Sequence, residues 1–326
     1  MIGKTLCLVI AMECGFHLSS SAQVSFKDSG VNETKVDFHG NCLTHYERSV
    51  GFCNQGPVSY VFQYDYFDPS VKGETLERPL PAHVKFPVIG DSGNGTMGLG
   101  VKGGAWYAGG FFGVRVKEWL NKTLMQKMTI VEQGRRGLLE CLWTGKFGGV
   151  KARFMMLPED DKLFMELDVD ASVDEGGVSV LFFCIPGHNG WSYDGYNREQ
   201  DKWICTPARN IQHHDGEDSI DPQKGPWILY FDSKNNQPFG SCALMWLPGQ
   251  VESILVGQKS NRYVTTHIRS KPLVKNIRFI LWNFPDGCKK PVGAYEYLKN
   301  HGEEWMEQLK AAKFGPEDES KEERQK

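Results

Sequence analysis

The stretch from Gly187 to Trp203, "GHNGWSYDGYNREQDKW", mixes ring faces with hydrogen-bonding groups. Trp191, Tyr193, Tyr196 and Trp203 supply the rings, and Asp194, Asn197, Arg198 and Asp201 supply donors and acceptors. Sugars offer apolar C–H faces to rings and paired hydroxyls to such polar groups, so a poly- or oligosaccharide is the ligand this mixture suits. Between Pro186 and Pro226 little reads as strand beyond "KWICT". Long loops of this kind are functional or disordered. The rings argue against disorder, because a large apolar side chain left in water forfeits about 1.5–3 kcal/mol. The plain alternative is that the aromatics only pin the loop to the domain.

Proton-transfer chemistry is also within reach of these residue types. His188, Tyr193, Arg198, His213 and His214 supply the base, acid and cation that a polysaccharide lyase or sugar epimerase needs beside an acidic sugar carbon. The following stretch "QHHDGEDSID" places Asp215, Glu217, Asp218 and Asp221 close together. Their oxygens are a candidate Ca²⁺ set, although the spacing matches no EF-hand loop. A solvated polar loop is the plain alternative, and no other cofactor is expected.

Several common chemistries lack their sequence patterns. No G-x-S-x-G, H-E-x-x-H or P-loop occurs. Gly93, Gly95 and Gly98 satisfy G-x-G-x-x-G, but Gly100, Gly103 and Gly104 would break the helix that motif must open. Turns, bulges and close packing are the better use of these glycines. Trp106 and Tyr107, flanked by glycines, are candidates for an exposed groove wall.

The elements that must position these groups read as short strands. "VSYVFQY" (58–64), "TLMQKMTIVEQ" (123–133), "WILYF" (227–231), "CALMWL" (242–247), "VESILVGQ" (251–258), "RYVTTH" (262–267) and "IRFILWNF" (277–284) are rich in β-branched and aromatic residues. "VKARFMML", "PEDD" and "KLFMELDVD" (150–170) form a hairpin signal, and "VSVLFFCI" (178–185) reads as a strand buried on both faces. Turn residues separate these runs without regular helical segments, which predicts an all-β fold and excludes a doubly wound one. One helix is credible. Ala294, Leu298, His301, Trp305, Leu309 and Ala312 recur at helical spacing after Pro291, with Gly302 as a weak point.

Composition bounds the rest. A formal net charge of −3 gives no basic footprint for nucleic acid. Lys4, the apolar run Leu6–Met12 and the small Ser20 and Ala22 read as a secretory signal over residues 1–22, with Glu13 a defect in it. No other run approaches the roughly 20 apolar residues of a membrane helix. The expected location is therefore secreted or periplasmic, without a membrane span. Of nine Cys, removing Cys7 and Cys14 leaves seven, an odd number. Cys42 and Cys53 are a candidate disulfide, while Cys184 and Cys242 sit in apolar runs as buried thiols.

The loop after "FFCIPG", the pair "CALMWLPGQVESILVG", and "IRFILWNFPDG" followed by "AYEYLKN" resemble a group of secreted β-rich proteins of planctomycete-like environmental bacteria. The resemblance covers residues 178–300 and implies exported β architecture, with no activity attached. Together these readings predict a large antiparallel β-sandwich, supersandwich-like, over residues 23–313. It is one large domain or two sub-sandwiches, with a C-terminal helix and a disordered polar tail over 314–326. The expected function is carbohydrate interaction, as a lyase- or epimerase-like enzyme or as a non-catalytic binding or envelope protein.

Overall fold

Alternation along each strand decides which side chains meet. In Gly148–Met156 (β8), Val150, Ala152, Phe154 and Met156 are buried, while Lys151 and Arg153 between them point to the other face. The neighbours β7 (Gly137–Gly145) and β9 (Lys162–Asp170) repeat the pattern and pair with β8 antiparallel. This hairpin series lies inside a nine-stranded antiparallel sheet. From one edge its order is β12 (Asn210–Gln212), β11 (Lys202–Cys205), β14 (Trp227–Asp232), β15 (Cys242–Trp246), β18 (Asn276–Asn283), β9, β8, β7 and β6 (Lys127–Glu132).

Two smaller antiparallel sheets complete the sandwich. One runs β1 (Ser25–Phe38), β2 (Asn41–Cys53), β3 (Tyr60–Phe67), β4 (Thr96–Val101). The other runs β13 (Glu217–Ile220), β16 (Val251–Ser260), β17 (Tyr263–Ser270), β10 (Ser179–Cys184), β5 (Phe112–Arg115). These facts come from a computed structural model that describes residues 22–87, 95–101, 106, 110–173, 176–184, 202–212, 214, 216–232, 241–260, 263–284 and 291–316.

Both small sheets pack on the same face of the large one. Phe62 of β3 meets Phe154 of β8 at a ring separation of 4.3 Å, and Phe182 of β10 meets Phe279 of β18 at 5.0 Å. One buried cluster runs from Val24 through all three sheets to Leu281. The opposite face of the large sheet is covered by the helix α1 (Pro291–Ala311). There Ala294, Leu298, Trp305 and Leu309 bury against Trp227, Met245, Ile280 and Trp282. The protein is thus the expected all-β antiparallel sandwich with a C-terminal helix, built from a large sheet between two smaller sheets and the helix.

Gly302 has a steric reason to interrupt a good helix-forming pattern. A Cβ at that position would lie 2.9 Å from Nε1 of Trp227, so glycine lets the helix approach the sheet. Past the helix, Phe314 is buried in the same layer, although composition placed it in the polar tail. Arg136, 4% exposed, donates to the carbonyls of Lys313 and Gly315 and holds this segment down.

Three readings need correction. Cys42 and Cys53 are free thiols at opposite ends of the 13-residue β2. At about 3.4 Å per residue they are roughly 35 Å apart, far beyond disulfide reach. Trp106 is 2% exposed rather than on a groove wall, bridging Cys184 and packing edge-on against Phe182; Tyr107 lies outside the described residues. The segment Asn210–Ile220, read as loop, contains the short strands β12 and β13.

Candidate functional site

The sharpest concentration of chemistry among the described residues is at the β8–β9 turn, "LPEDDK". The connection between β2 and β3 braces it. Asn54 donates through Nδ2 to the carbonyls of Leu157 (3.0 Å) and Asp160 (2.7 Å), and its own carbonyl accepts from the Glu159 N–H at 2.7 Å. Gly56 is required at its position, because a Cβ there would sit 2.3 Å from the Asp160 carbonyl oxygen. Glu159 adopts a left-handed φ of 57°, closing the turn. Tyr60, fully buried, donates from its hydroxyl to the Asp161 carbonyl at 2.8 Å. The backbone under both aspartates is therefore fixed from below.

Their side chains are placed with equal care. Asp160 Oδ1 accepts from the Lys162 N–H at 3.0 Å and from Lys162 Nζ at 2.6 Å. Lys162 Nζ also lies 3.9 Å from Asp161 Oδ1 and 4.9 Å from the centre of the Trp305 ring. Its charge is thus spent inside the protein. Asp161 Oδ2 accepts from Trp282 Nε1 at 2.8 Å. Burial pushes the Asp161 carboxyl above its ordinary value, with the Trp282 hydrogen bond and Lys162 opposing that shift.

Rings form the other wall. Trp282, at the end of β18, is packed edge-on against Trp305 and Phe284. Tyr297 of α1 stacks on it, with 15° between the planes and 5.7 Å between centres. Unlike Trp282, Tyr297 is 40% exposed. The turn, the end of β18 and α1 together enclose an open pocket of about 630 Å³, lined by Pro57, Glu159, Asp160, Asp161, Phe284 and Tyr297 among others. That volume is within the range of small-ligand sites, roughly 300–1,000 Å³. The arrangement can accept hydrogen bonds on carboxylate oxygens while offering the exposed part of a tyrosine side chain.

The residues singled out from sequence fall elsewhere. His188, Trp191, Tyr193, Asp194, Tyr196, Asn197, Arg198, Asp201, His213 and Asp215 lie outside the described residues. Trp203 is half-buried on β11 and packs into the helix-side layer that also holds Phe284 and Tyr295. His214 is exposed, with Nε2 3.4 Å from Asp218 Oδ2. Asp218 Oδ1 lies 3.7 Å from Arg209, and Asp221 lies 3.8 Å from Lys224. Glu217 sits exposed on β13, which pairs with β16. Among the described residues no three His, Cys, Asp or Glu side chains gather as a metal site.

None of the pocket residues was selected from sequence. "PEDD" reads as a hairpin turn, and such turns are commonly acidic and solvated. The usable signal was a lysine directly after paired aspartates at the start of an apolar strand, where an unpaired ammonium would be costly.

No family model matches the sequence, and no curated protein matches it. Solved structures similar to it include the alpha-N-acetylgalactosaminidase NagBb of Bifidobacterium bifidum, with a TM-score of 0.48, 10% identity, and coverage of 77% of this chain and 39% of that one. The GH36 alpha-galactosidase AgaB of Geobacillus stearothermophilus gives a TM-score of 0.38 at 11% identity over 78% of this chain and 41% of that one. The alpha-galactosidase of Lactobacillus brevis gives 0.37 at 10% identity, over 76% and 40%. The chain spans about two fifths of the length of these structures. No helix among the described residues is long and apolar enough to cross a membrane.

Proposed function

We propose that the protein is an exported, secreted or periplasmic, carbohydrate-interacting β-sandwich protein that takes part of a poly- or oligosaccharide into the pocket between the β8–β9 turn and α1. The observation that supports this reading is the partly exposed Tyr297 side chain beside Asp160 and Asp161 in a pocket of about 630 Å³. A sugar placed against the exposed edge of Tyr297 brings its hydroxyls toward the carboxylate oxygens of the turn, which accept charge-assisted hydrogen bonds. Binding without a covalent step is the form of this reading that the pocket favours. Among the described residues its lysine is committed to Asp160, which leaves no free described cation on the pocket wall to neutralise a uronate. The lyase or epimerase reading rests instead on His188, Tyr193, Arg198, His213 and His214.

The test is a binding screen of residues 23–326 against neutral, amine-bearing and polyanionic polysaccharides, read together with the release of unsaturated ends. Retention of a glycan that is lost in Tyr297→Ala, with an unchanged melting temperature, is the expected result. Retention untouched by that substitution removes the pocket from the function. Release of unsaturated ends would favour the lyase reading over simple binding.

A further inference from the structure

Two buried thiols meet across the sandwich, one from each of two sheets. Cys184 ends β10 of the five-stranded sheet, and Cys242 opens β15 of the nine-stranded one. Both belong to the shared core, at 2% and 0% exposure. The strands around them fix the meeting. Phe182, two residues before Cys184 and on the same side of β10, packs on Phe279 of β18, the neighbour of β15. Tyr230, the register partner of Cys242, hydrogen-bonds Thr266 of β17, the register partner of Phe182. Both sulfurs lie close to Tyr230, and the two thiols are themselves in hydrogen-bonding contact. The other described cysteines lie elsewhere. Cys141 is on β7, four strands from β15 and so roughly 19 Å away. Cys205 faces the helix-side layer, and Cys42 and Cys53 are on β2 of the other small sheet.

We propose that Cys184 and Cys242 are an oxidation site, where a disulfide closes and staples the five-stranded sheet to the nine-stranded one. The staple is independent of any sugar ligand. The oxidant is itself a disulfide, such as oxidised glutathione or the active-site disulfide of an oxidoreductase. The thiolate of one cysteine attacks it, breaks its S–S bond and releases one thiol. The other cysteine then attacks the mixed disulfide and releases the second thiol. The pair gives up two electrons and two protons, and both leave on the released thiols. Burial, together with the neighbouring thiol, pushes Cys184 well above the ordinary thiol range, so little thiolate forms in the folded protein. The bond therefore closes while the chain folds. An oxidising compartment, of the kind expected for an exported chain, preserves such bonds. The crosslink spans the long loop from Cys184 to Cys242, and it stabilises by removing that loop's entropy from the unfolded chain.

The experiment refolds the full chain, carrying Cys7→Ser, Cys14→Ser and Cys288→Ser, from denaturant in a buffer of reduced and oxidised glutathione. The product is quenched with acid and its free thiols are counted with maleimide in denaturant. Four adducts and a peptide map that joins Cys184 to Cys242 are expected, against six adducts when reductant is present throughout. The oxidised protein should melt roughly 5–10 °C above the reduced one. Cys184→Ala and Cys242→Ala should each abolish that redox-dependent shift. Six adducts after oxidative refolding, or a map in which Cys184 and Cys242 stay unlinked, overturns the proposal. The map is read on a chain whose core cysteines are intact, so a core variant that fails to fold does not affect it.

Discussion

Trp282 Nε1 donates to Asp161 Oδ2 at 2.8 Å, and this bond couples the helix-side layer to the acidic turn of the β8–β9 hairpin. The indole is 1% exposed and is stacked by Tyr297. The donor has nowhere else to go, so the carboxyl is positioned by the same residue that anchors the pocket wall.

This pair sets a pH signature. Burial raises the folded-state value of Asp161 above the ordinary carboxylate value, so ionising it opposes folding. The penalty is absent below the unfolded value, grows as pH rises through the raised folded value, and persists above it. Asp161→Asn should therefore melt higher than wild type at neutral pH, and the gap should close in acid. Thermal melts across that range read this directly. An equal gap at every pH would assign the difference to geometry rather than to charge.

Gly302 offers a steric test. Alanine is the better helix former by about 1 kcal/mol, yet its Cβ would press on Trp227 at 2.9 Å from Nε1 and 3.1 Å from Cδ1. Overpacking of this kind costs about 1–3 kcal/mol. Gly302→Ala should lower stability in urea, and Trp227→Phe combined with it should recover part of the loss. A stabilised Gly302→Ala protein would place the helix farther from the sheet.

Glu166 tests the charged ladder on the helix-side face. It is 4% exposed and accepts from Arg153 Nη1 at 2.8 Å and from Arg278 Nε at 3.0 Å. Arg278 in turn donates to the carbonyls of Lys310, within the last turn of α1, and Ala312, just beyond it. Removing one member of a buried ionic set costs about 3–5 kcal/mol, since the partner charges stay buried. Glu166→Leu should fall in that range by urea denaturation. A loss below about 1 kcal/mol would mean that water reaches the arginines.

Thiol reactivity separates the cysteines. Cys141, Cys184, Cys205 and Cys242 are buried, and burial pushes the Cys205 thiol up to about 12. Thiolate is the nucleophile, so these four should resist maleimide in the native protein. Cys42, which is exposed, should label quickly and Cys53 more slowly, with or without reductant. In residues 23–326 with Cys288→Ser, mass spectrometry should count two adducts before unfolding and six after it. Protection of both Cys42 and Cys53 that a reductant relieves would restore the disulfide this structure excludes.

How much of this was legible in the chain differs from element to element. β9 runs over Lys162–Asp170, the span its alternation predicts, and β10, β14, β15, β17 and β18 lie within a few residues of theirs. Those strands are buried on at least one face, so their composition carries the signal. The arm β1–β2 was not legible. β1 is exposed along nearly its whole length, and "SFKDSGVNETKVDF" has no apolar face to betray it. Its 14 residues are held by antiparallel pairing to β2, which no local pattern encodes.

By itself, then, the order of residues determined the class: alternating apolar runs punctuated by turn residues must bury one face each, and an amphipathic segment after Pro291 must cover what remains. Only the tertiary structure decided where the chemistry lies. Asp161, Trp282 and Tyr297 are far apart in the chain and meet because β18 pairs with β9 while α1 crosses the same face. A hairpin turn and a buried strand each read as scaffold alone. Their meeting depends on long-range register, which is set by the packing of the whole sandwich.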